Sequence, residues 1–348
     1  MALAKLTVVG NKIVDQYGRE RMLRGSNVMD WEWKYSWRAT PEFELKAIPV
    51  LCGVPPNGWG ANMIHFAVHS GPIIRNESKY LTGLDSIVTA CTTADAYCLL
   101  AYRASDPDTG LPAQIDQAAA TAMGILARRY VGNNTVLFGA GVEPHDVTWA
   151  VLKPQIERVI DAVRQQAPDA IVFCPGTNWS RYVHWAIATP IQRDNVVYRI
   201  DYYDPFSAVD TSYKLADVAA KYPVFIGEFG AGLIAGASTT LADMKLLLDY
   251  WEAHDIGWCP WNFNDEGQPK LLTSKTNFTV NAFGAEIMAR LQAKYSDSHP
   301  GTPVSPPPPP PPPPPEPVPV GSKYKIIVGG MMFTIETNVP ITIEGVTQ

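Results

Sequence analysis

Two glutamates in this sequence are placed to do chemistry. Glu143 follows the apolar run of TVLFGAGVEPH, and Glu228 ends that of PVFIGEFG. Two carboxyl groups on either side of a sugar ring can divide the hydrolysis of a glycosidic bond. One protonates the leaving oxygen, while the other attacks the anomeric carbon or activates water. Residues so distant in sequence share a cavity only if the fold brings two strand ends together. Metal chemistry has less support, because His65, His69 and His145 lack the H-E-x-x-H pattern and no Cys/His set has ligand spacing. Neither a metal nor a cofactor is expected.

Eight short apolar runs supply such strand ends: residues 23–28, 62–68, 96–102, 135–142, 170–176, 195–203, 223–229 and 255–263. Helical patterns lie between several of them, clearest at 114–130, 151–166 and 240–254, with a closing helix at 280–295. This alternation predicts an α/β fold, a (β/α)₈ TIM barrel whose strand ends point into one mouth. An open doubly wound sheet is the structural alternative, but no strand is followed by a G-x-G-x-x-G turn or a phosphate-binding loop. Two apolar runs flanking DQYG, from Lys12 to Leu23, predict a short N-terminal hairpin.

Composition divides the 348 residues unevenly. Ten consecutive prolines, Pro306 to Pro315, cannot join a ladder or helix and favour an extended spacer. The expected organisation is a barrel domain over 1–295, a proline-rich linker over 296–323 and a short β-rich segment over 324–348. Too short to enclose a core, that last segment is expected to dock or to pair with another chain. The net charge of −6, without a basic run, makes nucleic acid an improbable partner. No stretch of eighteen apolar residues predicts a membrane span, and the first twenty residues carry no apolar signal region or cleavage site. The compartment is left open, although hydrolysis of a polysaccharide would suit an extracellular enzyme. Five cysteines without C-x-x-C spacing read as buried thiols, with one disulfide left open.

The stretch from about Val9 to Tyr295 resembles glycoside hydrolase family 5, the cellulase-like retaining enzymes. VVGNKIVDQYGRERMLRGSNV is similar to that family's N-terminal hairpin and first strand, and TVLFGAGVEPH to its fourth strand and acid/base loop. VVYRIDYYDP, PVFIGEFG and GWCPWNF resemble the sixth, seventh and eighth strands. The resemblance implies Glu143 as general acid/base, Glu228 as nucleophile, Tyr203 as a hydrogen-bonding neighbour of the nucleophile and Trp261 as the floor beneath the sugar. It implies a polysaccharide or oligosaccharide substrate, first of all for an endo-β-1,4-glucanase. A β-mannanase, another β-glycanase or a noncatalytic carbohydrate-binding barrel are the alternatives.

Several positions depart from the family pattern. Val142 replaces the asparagine before the acid/base, Asp201 the sixth-strand histidine and His65 the second-strand arginine. Ala101 and Arg103 stand at the third-strand aspartate and histidine positions. Arg103 is therefore expected to replace the missing cation, and Asp201 to bond to the sugar or to His65. His145 is expected to shape the acid/base loop. Trp31, Trp33, Trp37, Trp59 and Trp179, near strand ends, are candidate stacking surfaces for pyranose rings.

Overall fold

The computed structural model describes residues 3–31, 40–103, 114–234, 237–300, 322–328 and 330–337. The chain divides into two compact units, Met1–Gly301 and Thr302–Gln348. The proline tract, Trp33 and Trp37 lie outside the described residues.

Eight parallel strands form the first unit's sheet in sequence order: Gly25–Asn27, Met63–Val68, Tyr97–Arg103, Val136–Val142, Val172–Pro175, Val196–Tyr202, Val224–Phe229 and Gly257–Trp258. They are called here the first to eighth barrel strands. Except for Arg103 at the end of the third, every residue in them is buried, as expected of strands with side chains on one face and helices on the other. The sheet closes on itself. Arg24 bridges Trp258 in parallel, Trp258 donates its N–H to Leu23 O at 2.9 Å, and Asn27 donates to Pro260 O at 3.0 Å. All eight expected runs became strands of a TIM barrel.

The helices begin where their sequences supply caps. Asp116 accepts from the Ala119 N–H ahead of helix Gln117–Arg129, and Asn281 from Gly284 ahead of Ala282–Ala293. Thr240 and Asp243 form a reciprocal capping box on Leu241–Ala253. Helix Trp149–Arg164 buries Leu152, Ile156, Val159, Ile160 and Val163, one apolar stripe at helical spacing. At the foot of the first strand, Arg24 makes two parallel 2.7 Å bonds to Glu252, tying helix Leu241–Ala253 to the barrel.

The N-terminal hairpin differs in position from expectation. Leu6–Val9 pairs with Lys12–Asp15 about a turn whose Gly10 has φ +61°, a conformation glycine adopts without a Cβ penalty. DQYG forms the following turn, closed by a single Val14–Glu20 bridge. All five cysteines are buried free thiols. In the second unit, Ser322–Val328 and Met331–Thr337 form an antiparallel hairpin. No helix among the described residues is long and apolar enough to cross a membrane.

Candidate active site

The fourth, sixth and seventh strands bring three carboxylates together. One oxygen each from Glu143, Asp201 and Glu228 lies within 4.8 Å of the other two. Glu143 stands just past the fourth strand at φ +50°, a left-handed conformation uncommon for a side chain of its size. Its N–H donates to the Ser180 hydroxyl at 3.1 Å. Ser180 belongs to a turn in which Asn178, Trp179 and Ser180 all have φ near +57°. This turn follows the fifth strand and is tied back to the acid loop by Trp179 N–H donating to Pro144 O at 3.0 Å.

Glu228 is buried on the seventh strand and has two donors, one on the sixth strand and one just past its end. Arg199 Nη2 and Tyr203 Oη each approach a different carboxylate oxygen at 3.1 Å. Arg199 is fully enclosed, and the same Nη2 stands 2.9 Å from Asp201 Oδ1. The seventh strand makes room for it, since a Cβ at Gly227 would lie 2.0 Å from Arg199 Nε. Likewise a Cβ at Gly139 on the fourth strand would lie 2.4 Å from that of Ala101.

These surroundings separate the two glutamates electrostatically. Burial, and next the charge of Glu228, push Glu143 up to about 8, against the pull of Arg199 and Arg103. Burial also raises Glu228, but Arg199, the Tyr203 hydrogen bond and Arg103 all oppose it. Tyr203 itself is held well above the usual phenol range, chiefly by burial and by Glu228, so it is a neutral donor. Asp201 is also held high, by burial first and then, against Arg199, by the two glutamates. Among the described residues this trio is the one group spaced to hold a metal ion, yet the Arg199 guanidinium already neutralises two of its members.

Several expectations need correction. His65 is buried on the second strand with its Nδ1 on Asn27 Oδ1, while Asn27 Nδ2 donates to Gly227 O at 2.8 Å. The amide thus presents oxygen to the ring, His65 Nδ1 carries the proton, and Nε2 is a buried acceptor without a partner among the described residues. Burial and Arg199 keep this imidazole neutral well below its usual range. Asp201 faces Arg199, not His65. Arg103 contributes charge to both glutamates, but the guanidinium bonded to Glu228 is Arg199. Sequence reasoning missed that arginine. Its signal is the alternation Arg199, Asp201, Tyr203 in an otherwise apolar strand, which sends all three side chains to one face.

The aromatic candidates separate by exposure. Trp31 is completely buried against Tyr80 and Phe66, and Trp59 packs edge-on to Phe263, so both are core residues rather than sugar platforms. Trp179 is 43% exposed and stacks on His145 with ring centroids 4.8 Å apart, 13° from parallel. Trp261 is half-buried, its N–H donating to Phe229 O at 2.8 Å, one residue beyond Glu228.

The family model described as cellulase, glycosyl hydrolase family 5, matches residues 56–267. The chain belongs to glycosyl hydrolase family 5. It is 23% identical over 272 residues to endoglucanase E-5 of Thermobifida fusca, covering 75% of this chain and 56% of that protein. With endoglucanase A of Butyrivibrio fibrisolvens it shares 25% over 321 residues, 85% of this chain and 71% of the other. This family 5 chain thus spans little more than half of the Thermobifida protein. A β-glucanase of Saccharophagus degradans solved with cellotetraose shares its fold, with a TM-score of 0.74 at 18% identity over 85% of this chain and 95% of that one. Within the family 5 barrel, one carboxyl oxygen of Glu143 lies within 4.8 Å of one of Glu228, a close approach of the kind retaining enzymes use, whose carboxyl groups stand about 5–5.5 Å apart.

Proposed function

We propose that this protein is a retaining β-glycanase, first of all an endo-β-1,4-glucanase, in which Glu143 is the acid/base and Glu228 the nucleophile. The observation that carries the reading is the close pair of carboxyl groups in unequal surroundings. In the first step Glu228 attacks the anomeric carbon as the glycosidic bond breaks, and the Glu143 proton goes to the departing oxygen. A covalent glycosyl-enzyme results. Neutralising Glu228 in that ester removes the anion that, next to burial, holds Glu143 protonated, so the Glu143 value falls and it becomes the base for the second step. It takes a proton from water, which attacks the anomeric carbon and releases Glu228.

Trp261 and the exposed Trp179 with His145 are read as sugar-stacking surfaces, with Asp201 and Arg103 as polar lining. Support for a β-glucan comes from the names of the relatives and from the cellotetraose bound by the Saccharophagus protein. Val142 offers no side-chain donor to a sugar hydroxyl, so the site is read as lacking one bond that strengthens in the transition state. For the second unit, exposed Ile327, Met331, Met332 and Phe333 support pairing with another surface.

Hydrolysis of β-glucan, β-mannan and xylan, with NMR of the first-formed anomer, tests the reading. Turnover of β-glucan with retention, lost in Glu143→Gln and Glu228→Gln, is expected. Preference for mannan or xylan would replace the substrate, inversion would overturn the mechanism, and glycan binding without turnover above the two variants would indicate a noncatalytic barrel.

A further inference from the structure

Both hydrogen bonds to Glu228 come from the sixth strand and the residue that follows it. Arg199 and Tyr203 each donate at 3.1 Å, and between them in sequence Asp201 places Oδ1 2.9 Å from the same Nη2 that serves Glu228. The Asp201–Glu228 pairing between the sixth and seventh strands sets these carboxyl groups side by side across a register shift. Gly227 leaves the guanidinium its path, since any Cβ there would meet Arg199 Nε, Cζ and Cδ within 2.8 Å. On the second strand, His65 is fixed on Asn27 and carries no charge toward the nucleophile.

We propose that the cation serving the nucleophile in this chain stands on the sixth barrel strand. Arg199 is the positioning residue that aims Glu228 and keeps it a carboxylate, and Asp201 sets how much of that cation Glu228 receives by competing for one Nη2. The catalytic consequence rests on the retaining reading above; the electrostatic one does not. The charged and titratable groups facing Glu228 are Arg103 from the third strand, Glu143 from the fourth and Arg199, Asp201 and Tyr203 from the sixth, with neutral His65 facing Arg199 from the second. Among them Arg199 opposes the effect of burial on Glu228 most strongly.

Two variants must move Glu228 in opposite directions. Asp201→Asn replaces the carboxyl that competes for Arg199 Nη2 with a neutral amide and leaves that donor to Glu228, so the acid limb of kcat/KM moves to lower pH. Arg199→Met combined with Asp201→Asn removes the ion pair together, leaving neither charge stranded. Relative to Asp201→Asn alone, its acid limb moves up by about one pH unit or more, and kcat falls at least about 100-fold while KM changes little. The Glu228 carboxyl is also titrated without turnover, by carbon NMR of glutamate-labelled protein with Glu228→Gln to assign the signal.

Opposite shifts in that titration establish the role of Arg199. A Glu228 titration unmoved in Asp201→Asn overturns it, and this single variant decides even if the double variant does not fold. If wild type hydrolyses no glycan but the titration shifts as stated, the proposed function fails and the positioning role stands. Hydrolysis with an unmoved carboxyl has the reverse meaning.

Discussion

At the residue scale, Glu143 holds its proton at a cost to the fold. An acid whose folded value is raised contributes stability below its unfolded value and loses it as pH rises through the folded one. For Glu143 that window runs from the ordinary carboxylate range to about 8. Glu44 behaves likewise to about 7: burial raises it, against N–H donors from Trp31, its own backbone and Asp30. Glu143→Gln should therefore melt higher than wild type at pH 8 by the equivalent of about 1–3 kcal/mol, and by much less at pH 4. Calorimetry at the two pH values measures this, and an equal effect at both would refute the assignment. The positions of Glu143 and Glu228 were legible in sequence because each stands at the end of an apolar run, in GVEPH and IGEFG. Arg199 was not, since a cation inside a barrel looks misplaced until the three-dimensional partners that neutralise it are known.

At the scale of elements, the sixth and seventh strands work as a matched pair. The side chain that crosses the barrel is on one, and the gap that admits it is on the other. Gly227→Ala brings a methyl against a fully buried guanidinium, which must swing away from Glu228 or push the strands apart. A loss of kcat/KM of about 100-fold or more is expected, with destabilisation of roughly 1–3 kcal/mol. Steady-state kinetics and denaturant melts report both, and unchanged kinetics would show that Arg199 has another route. All eight strands and the four clearest helices were readable from apolar periodicity, because buried parallel strands are continuous apolar runs and the helices carry stripes. The hairpin turn was placed one turn too late, since Gly10-Asn11 and DQYG are both competent turns and the pairing partner upstream of residue 10 decided between them. Trp31 and Trp59 misled for a similar reason: an aromatic residue after a strand reads the same in sequence whether it faces a cleft or the helical layer.

At the scale of the whole molecule, the closure between the first and eighth strands has a consequence for how the barrel is made. These are the shortest barrel strands, three and two residues, and their junction carries Asn27 with its bonds to Gly227, Cys259 and Pro260. These partners lie 200 to 233 residues from Asn27 in sequence, so the contacts that complete the ring close a long loop and carry its entropy. A chain emerging from the ribosome can stack seven strands before the eighth exists, with the edge of the first strand still unpaired. Hydrogen exchange in the native state should find the Asn27 and Trp258 amides opening before those of the fourth and fifth strands. Equal protection throughout would mean that the ring opens only as a unit. Because Asn27 orients His65 and reaches the carbonyl beside Glu228, the closing contacts also complete the support around that carboxylate: a nascent or partly opened barrel would hold Glu143 and Glu228 without the scaffold that fixes them.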